Sequence, residues 1–377
     1  MNKRTYEQSI ITNWITEINK PIFFCITVLI TFGLLISLTI NPGTSRYLNN
    51  NLFAFFNIQA LYLAIGFLVF ISISLIETKY IKLFSVILFT VFFALLALTL
   101  LFGDEIKGSR RWISFGSFSL MPIELVKPVF CVVLAMILNN QYQGTKISSH
   151  SLSALIYISV ASILVLQPDI SQFFLLSAIY FGSVLMSGFS IIILTVIVVF
   201  GILSFVMIYL LNFNVQNRIN SFLFPNEYDV SQTEISLQAI KQGGIIGVGP
   251  GNGLLKNKIP EANSDYIFSV VAEEYGLIGC TLILLIFFII SYQGFKKIYG
   301  NNDHFIQICL FTLILYVCLQ ALIHIGVNIR LIPTTGITLP FISYGGSSVL
   351  GMSIAAGLIL LFSKNRHIRE SVSYTHL

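Results

Sequence analysis

Charged side chains are scarce in this sequence. Lys and Arg number 21 and Asp and Glu 16 among 377 residues, so charged residues make up 10% of the chain and hydrophobic residues 56%. The mean hydropathy is +0.87. A soluble protein of this length needs far more charge on its surface, so the composition excludes a soluble multidomain protein and indicates that lipid surrounds most of the chain. The small net charge of +5 gives no indication of nucleic-acid binding.

Several common sites are also absent. The five cysteines lie in or beside apolar runs without a CxxC pair, which argues against a disulfide framework or a metal site and predicts small buried side chains. A glycine-rich segment lacks the GK[ST] ending of a Walker A motif and the βαβ context of a dinucleotide-binding fold. Residues 1–20 are polar and an apolar run of about twenty residues follows, which is too long for a signal peptide and predicts an uncleaved anchor.

Long apolar runs dominate the rest of the sequence. A bilayer core about 30 Å thick needs roughly twenty apolar residues per helix. We therefore predict an all-α integral membrane protein, a single polytopic domain with about ten transmembrane helices. The predicted spans are 21–40, 55–76, 81–102, 122–139, 152–166, 170–187, 190–211, 266–292, 306–325 and 344–363. Because only Gln167, Pro168 and Asp169 separate the fifth and sixth runs, these two form either a hairpin or one broken helix.

An even number of spans places both ends of the chain on one side of the membrane. Basic residues flank the first and last spans and lie in the loops of that face, so the positive-inside rule makes residues 1–20 and 364–377 cytoplasmic. Residues 212–264, between spans seven and eight, are then a large extracytoplasmic loop. That face also has basic residues, beside glycine, proline and acidic residues. An anion-binding surface would have this composition, and scattered loop charge is the alternative.

Charged residues gather at the predicted exterior ends of the spans. Charges near a membrane are costly and commonly mark functional sites. Salt bridges that hold helices together would explain some of them, whereas one outward-facing cavity would explain all of them. They are Asp104, Glu105, Arg110, Arg111, Glu124, Lys127, Asp169, Asp265, Glu273 and Glu274.

The segment 243–253 is rich in glycine, so its backbone can approach a ligand closely. Successive amides in such a turn can hold phosphate oxygens, and Lys256 follows directly. A flexible surface turn would explain the same composition equally well.

The segment 260–276 joins a polar run to the start of a span. Asp265 or Ser264 could cap the helix that follows, because both side chains accept hydrogen bonds from first-turn amides. From residue types alone, a helix cap is the simpler interpretation of Asp265. Glu273 and Glu274 lie two turns deeper, where a carboxylate is expected to be neutral or paired.

The segment 326–348 contains two prolines and several glycines at membrane depth. Irregular backbone is tolerated there only where it faces protein or water. We therefore predict a broken or re-entrant element, either lining a site or acting as a purely structural break.

Four motifs, in order, resemble those of the SEDS family of bacterial cell-wall glycosyltransferases. Residues 260–276 are similar to the pattern P-E/D-x-x-x-D-F/Y-I-F-x-x-x-A-E-E-x-G, and residues 333–348 to P-x-x-G-x-x-L-P-F-x-S-Y-G-G-S-S. Residues 108–127 and the Gln167-Pro168-Asp169 turn are similar to the other two. The resemblance covers nearly the whole chain, and residues 249–253 and 328–338 favour the cell-division branch over the elongation branch. The sequence departs from the family pattern at residues 170–172, Ser231 and His324.

The resemblance implies polymerisation of lipid II, an undecaprenyl-linked disaccharide-peptide, into glycan strands. It makes Asp265 the essential acid, a suitable general base for the acceptor hydroxyl. The lipid diphosphate that leaves requires positive charge from basic side chains or from a divalent cation such as Mg²⁺ or Mn²⁺, although the sequence shows no complete ligand set. The candidate substrate-binding residues are Arg110, Arg111, Glu124, Lys127, Asp169, Arg218, Lys256, Glu273, Ser343 and Ser347.

The resemblance also implies a location and partners. We expect the chain in the bacterial inner membrane at the division septum, with a class B penicillin-binding transpeptidase and other division proteins. The main alternative is a lipid II flippase, since broken helices and membrane charges suit a transporter, but no internal repeat is visible. An elongation polymerase is a second alternative. A scaffold is a third, and it would not require charged residues at span ends.

Overall fold

The structure is a computed structural model, and it describes residues 12–40, 54–106, 109–116, 118–139, 149–188 and 231–364, with isolated positions between 195 and 222. Helices predominate in these residues. The helices are α1 (Lys20–Thr39), α2 (Ala54–Leu75), α3 (Thr78–Phe102), α4 (Pro122–Leu138), α5 (Ser149–Leu166), α6 (Ile170–Met186), α7 (Ser231–Gly243), α8 (Ile267–Tyr299), α9 (His304–Asn328) and α10 (Gly346–Phe362), and a 3₁₀ turn covers Leu255–Lys258.

The apolar runs form the helices that the sequence predicts. Each predicted span except 190–211 coincides with one helix, and that run lies almost entirely outside the described residues. Six helices are long and apolar enough to cross a bilayer (α1, α2, α3, α5, α8 and α9), which confirms a multi-pass membrane protein. Helices α5 and α6 form a hairpin rather than one broken helix, because they pack together and the ring of Tyr157 stacks on that of Tyr180 at 4.3 Å.

Helices α4 and α10 occupy the centre of the bundle. All residues of α4 are buried, and α10 is buried along its length apart from the half-buried Gly346 and Leu350. A helix that is apolar on every side is expected to be enclosed by other helices. Small residues allow the close approach: a Cβ at Gly351 would lie 2.2 Å from the carbonyl oxygen of Glu124, so α10 contacts the backbone of α4 directly.

A small antiparallel sheet adds to the predicted all-α architecture. It connects α3 to α4 and consists of β1 (Asp104–Ile106), β2 (Ser109–Phe115) and β3 (Phe118–Leu120), in the order β1-β2-β3. Asp104 pairs with Trp112 and Ile113 with Leu120. The sequence signal for these strands is weak because each is short and the charged residues of β1 and β2 interrupt any apolar alternation.

The described part of the predicted loop 212–264 is more regular than its composition suggests. Residues 231–243 form α7, which packs on α8. Ser236 and Ala239 are buried and Ile235 and Ile240 are partly buried, a spacing that places them on one helical face. The described part of the loop therefore packs against the N-terminal part of α8 rather than standing away from it.

Candidate active site

Asp265 lies at the end of a turn that leads into α8. The helix has Tyr266 as its N-cap and no side-chain cap bond, so the helix-cap interpretation of Asp265 and Ser264 is wrong. The amide of Asp265 donates to the carbonyl of Glu261 at 3.0 Å, and the side chain is half-buried. A Cβ at Gly336 would lie 3.6 Å from Asp265 Oδ2. The carboxylate therefore faces the irregular segment between α9 and α10.

Asn328, the last residue of α9, joins this turn to the neighbouring helix. Its Oδ1 accepts from the amide of Ser269 at 3.0 Å and from its hydroxyl at 2.7 Å. Its Nδ2 donates to the carbonyl of Asp265 at 3.0 Å and to that of His324 at 2.8 Å. Asn328 is fully buried. One amide side chain therefore accepts from an amide in the first turn of α8 and holds the backbone that carries Asp265.

The segment 329–345 has no regular secondary structure, as the prolines and glycines predict. Its backbone is strained at two non-glycine residues, because Arg330 (φ 58°) and Phe341 (φ 63°) are left-handed. The Ser343 hydroxyl accepts from the amide of Leu339 at 2.8 Å and donates to the carbonyl of Ser264 at 2.7 Å. The amide of Tyr344 also donates to the carbonyl of Asn263 at 2.9 Å. Together, these hydrogen bonds hold the segment against the Asp265 turn.

A second polar cluster lies between the helices below this turn. Lys127 is fully buried, and its Nζ lies 2.8 Å from Glu124 Oε1, 2.9 Å from Gln172 Oε1 and 3.1 Å from Gln320 Oε1. Gln172 also donates to Glu124 Oε1 at 2.9 Å. Gln320 then donates to the carbonyl of Thr338 at 3.1 Å, which connects the cluster to the segment 329–345. The buried ion pair of Glu124 and Lys127 is tolerated inside a membrane protein because its hydrogen bonds are largely satisfied.

Asp169 and Arg111 connect the α5–α6 turn to the small sheet. Arg111 Nη1 lies 3.5 Å from Asp169 Oδ1, and its Nη2 donates to the carbonyl of Pro168 at 2.6 Å. Asp169 also caps α6 by accepting from the amide of Gln172 at 3.4 Å. Burial raises the pKa of Asp169, and the positive charge of Arg111 opposes that rise.

Glu273, Glu274 and Lys256 make contacts within the protein. Glu273 accepts from the amides of Leu255 at 2.8 Å and Lys256 at 3.0 Å, so it anchors the 3₁₀ turn. The Lys256 Nζ pairs with Glu274 and donates to the carbonyl of Thr39. All three charged residues are buried. The expectation of paired carboxylates is met, and roles for Lys256 and Glu273 as substrate ligands stay predictions.

Four amides of the glycine-rich segment are already paired within the protein, and the predicted phosphate cradle stays a prediction. The amides of Gly247, Val248, Gly249 and Asn252 all donate to carbonyl groups of the protein. Amides that are already paired are not free to receive phosphate oxygens. The structural reason for the glycines is the close approach of this segment to α8.

The other predicted site residues occupy different environments. Arg110 is exposed and lies 3.4 Å from Glu105 across the β1–β2 pair. Ser347 is buried in the first turn of α10. Arg218 lies outside the described residues. The structure brings Asp265 and Ser343 together, whereas Arg110 and Lys256 lie in separate contacts.

The sequence interpretation did not include Asn328, Gln172 and Gln320 among the site residues. Gln172 and Gln320 were detectable in principle, because an amide inside an apolar helix is costly unless it is paired. Asn328 ends α9 at a position where its partners come from distant parts of the chain. Measured from His304, at the predicted cytoplasmic end, the 25 residues of α9 rise about 37 Å, so Asn328 lies near the outer boundary of the bilayer core.

Among the described residues, no three His, Cys, Asp or Glu side chains are grouped in a way that could hold a metal ion. A cation site built from three such side chains is therefore absent from the described residues. The divalent cation stays a prediction of the family resemblance.

Comparisons with known proteins agree with the motifs and the fold. The chain is 31% identical over 339 residues to the probable peptidoglycan glycosyltransferase FtsW of Caulobacter vibrioides, covering 90% of this chain and 87% of that protein. It is 32% identical over 344 residues to stage V sporulation protein E of Bacillus subtilis, covering 89% and 94%. A chain from a solved peptidoglycan synthase complex has a similar fold, with a TM-score of 0.74, 23% identity and coverage of 92% and 97%. The model of the family described as cell cycle protein matches residues 19–368, and this chain therefore belongs to the FtsW/RodA/SpoVE family.

Proposed function

We propose that this protein is a peptidoglycan glycosyltransferase that polymerises lipid II into glycan strands during cell division, with Asp265 as the general base. The observation that carries the proposal is the junction of two motif segments. Residues 263–265 and 336–344, far apart in sequence, are hydrogen-bonded together around the Asp265 carboxylate. The relatives named FtsW are described as probable peptidoglycan glycosyltransferases, and their resemblance extends over most of the chain.

The reaction requires an acceptor hydroxyl to attack the anomeric carbon of the donor sugar. The acceptor's 4-oxygen forms a bond with that carbon while the bond from the carbon to the diphosphate oxygen breaks. The electron pair leaves with the lipid diphosphate, and the hydroxyl proton passes to the Asp265 carboxylate. A half-buried carboxylate at the outer membrane boundary is suited to this step, because it is accessible to a lipid-linked sugar and held by its backbone.

Tyr266, the next residue, is not suited to act as the base. Burial raises the pKa of its phenol, and the negative charges of Asp265 and Glu261 raise it further. The phenol therefore keeps its proton at neutral pH, so Tyr266 does not compete with Asp265 as the proton acceptor.

Positive charge for the departing diphosphate must come from cations that the protein has not already neutralised. Lys127 and Lys256 are each paired with a buried glutamate. Arg110 has only an exposed pair with Glu105, and Arg330, half-buried two residues beyond Asn328, has no ion pair within the described residues. We therefore favour Arg330 and Arg110 as the charges that face the leaving group.

A flippase is less well supported than an enzyme. A transporter requires a path through the bundle, whereas the centre of the described helices is filled by α4 and α10. The elongation role is also less well supported. The wording of the motifs favours the division branch, and the relatives that match most of the chain are named FtsW and stage V sporulation protein E.

We further propose the bacterial inner membrane, at the division septum, as the location. A class B penicillin-binding transpeptidase is the proposed partner, together with other division proteins. The fold resemblance to a chain from a complex that coordinates polymerisation and crosslinking supports this partnership.

Substitution of Asp265 tests the proposed base. Asp265→Asn keeps the size and the hydrogen-bonding oxygen but cannot take up the proton, so polymerisation should fall by at least about a hundredfold. The measurement is glycan-strand formation from labelled lipid II by the purified protein with its transpeptidase. Asp303→Asn is the matched control, because Asp303 caps α9 through the amide of Phe305 at 3.0 Å and lies at the opposite end of the bundle. Wild-type synthesis by Asp265→Asn would remove the general-base assignment.

A further inference from the structure

Helix α8 is broken at Gly276, and a segment distant in sequence forms hydrogen bonds with the backbone on both sides of the break. Gly276 has φ 64° and ψ −160°, which no helical residue adopts. An unbroken helix would pair the Leu277 amide with the Glu273 carbonyl and the Ile278 amide with the Glu274 carbonyl. Both pairs are replaced here by bonds to the residues 243–254, which we call the inserted segment.

The exchange of hydrogen bonds is reciprocal. The amides of Val248 and Gly249 donate to the carbonyls of Glu273 at 2.9 Å and Glu274 at 3.1 Å. The amides of Leu277 and Ile278 donate to the carbonyls of Gly244 at 2.9 Å and Ile245 at 3.3 Å. The four backbone groups of these two pairs are thus satisfied by the inserted segment, as a low-dielectric environment requires.

The glycines of the inserted segment permit this contact. A Cβ at Gly243 would lie 1.8 Å from the carbonyl oxygen of Ala272, and one at Gly247, where φ is 89°, would lie 2.2 Å from that of Glu274. The inserted segment is therefore fixed at the depth of the break, whatever the position of the rest of the predicted loop.

The depth of the break follows from the length of α8. The helix has 33 residues and rises about 50 Å, which exceeds the bilayer core of about 30 Å. Lys296 and Lys297 in its last turn mark the predicted cytoplasmic boundary. From Lys296 back to Gly276 the helix rises about 30 Å, so the break lies at the outer boundary of the hydrocarbon.

The inserted segment is apolar where it is exposed. The exposed fractions are 69% for Ile245, 77% for Ile246 and 68% for Leu254. They adjoin Leu277 and Ile278 of α8, which are 57% and 58% exposed. The same exposed apolar surface continues along α8 at Leu282, Leu285, Phe288 and Tyr292.

We infer that the inserted segment lies in the outer leaflet of the membrane, where phospholipid acyl chains cover Ile245, Ile246 and Leu254. Lipid is the favoured occupant because this apolar surface is continuous with the lipid-facing surface of α8. Exposed Lys241 and Lys258 lie just outside either end of the segment, as expected for side chains that reach lipid phosphates. Part of the predicted extracytoplasmic loop is therefore a membrane-embedded element beside the α8 turns that lead to Asp265.

Fluorescence quenching tests this placement in the full chain. A single cysteine replaces Ile246 in a background without the five native cysteines, and it is labelled with an environment-sensitive dye. The labelled protein is reconstituted in phosphatidylcholine–phosphatidylglycerol vesicles. We expect blue-shifted emission, strong quenching by lipids that carry a nitroxide near the headgroup, and little quenching by iodide. Asn252→Cys, in the same segment but polar and exposed, is the matched control and should show the reverse pattern.

The same quenching pattern at positions 246 and 252 would overturn the inference. Because a dye at Ile246 can disturb the segment, a photo-crosslinking residue at Leu254 gives an independent measurement. Crosslinks from Leu254 to phospholipid are expected. If position 254 crosslinked to a protein partner, or formed no crosslink to lipid, the segment would not be covered by lipid.

Discussion

Asn328 is a residue without chemistry of its own that holds the turn of the proposed general base, Asp265. Its four hydrogen bonds end on Ser269, Asp265 and His324, and it is fully buried. Asn328→Ala leaves the carbonyl of Asp265 without this donor and frees the backbone of the turn. Because a small displacement of a reacting group costs much rate, we expect kcat to fall about tenfold to a hundredfold with little change in KM.

Glycan-synthesis kinetics and thermal unfolding of the Asn328→Ala protein should be measured together. Gln307→Ala is the matched control, because Gln307 also donates to two carbonyls, those of Ile298 at 3.3 Å and Asn301 at 2.6 Å, but at the other end of α9. The control should lose similar stability and keep its kcat. If the two variants lost activity in proportion to stability, Asn328 would be a structural residue only.

For single residues, the sequence predicted which side chains belong to the candidate site better than it predicted their hydrogen-bond partners. Asp265 and Ser343 were identified from their motifs, and the structure places them in adjacent segments. The cap interpretation of Asp265 failed because Asn328, from another helix, satisfies the first turn of α8. Local sequence rules consider only neighbouring side chains, so they cannot anticipate a cap supplied by a residue that is distant in the chain.

At the element scale, the pair of Glu124 and Lys127 holds α4 to α6 and α9 through Gln172 and Gln320. Removing one partner leaves the other charge buried and unpaired. We therefore expect Glu124→Gln and Lys127→Met to lower the unfolding free energy by roughly 3–5 kcal/mol each, and the double variant to recover much of that loss. Thermal unfolding in detergent measures the three proteins.

The exposed pair of Glu77 and Lys79, at 2.6 Å, is the control for this experiment, and its removal should leave unfolding almost unchanged. If Glu124→Gln and Lys127→Met changed the unfolding free energy as little as the control does, water would have to reach the cluster. A double variant that regains stability but not glycan synthesis would support the predicted substrate role of these residues.

Elements were predictable where composition alone determines them. Among the described residues, the apolar runs predicted the helices to within a few residues, apart from the end of α8, which extends seven residues beyond the predicted span. Lipid requires long helices with satisfied backbones. The break at Gly276 lay unnoticed inside the predicted span 266–292. It depends on carbonyls and amides some thirty residues away, so no window of sequence around Gly276 reveals it.

For the whole molecule, the predicted orientation places Asp265 outside the cytoplasm, where a lipid-linked substrate would be used. Asn252 and Asn302 are exposed and lie on opposite predicted sides. Cysteine at position 252 should react with an impermeant thiol reagent in spheroplasts, and cysteine at position 302 should react only after permeabilisation. The reverse pattern would place Asp265 in the cytoplasm and contradict the proposed enzyme.

The proposed transpeptidase partner should activate the enzyme, an expectation that rests on the proposed function. Helix α3 has the smallest buried share among the long apolar helices, with Leu83, Leu101 and Phe102 all strongly exposed, so this bundle has apolar surface on which a further membrane helix can pack. A partner that binds the active arrangement of the outer segments more tightly shifts the population toward it. We therefore expect the purified complex to polymerise lipid II considerably faster than the chain alone.

The rate should be measured at equal amounts of this chain, with the single-span transpeptidase present in wild-type form or with its catalytic serine replaced. The serine variant should activate as well as the wild type, because activation depends on binding and crosslinking follows polymerisation. Equal rates with and without the partner would rule out activation. Asp265→Asn must remain inactive in the complex, since a better-populated arrangement cannot supply a missing base.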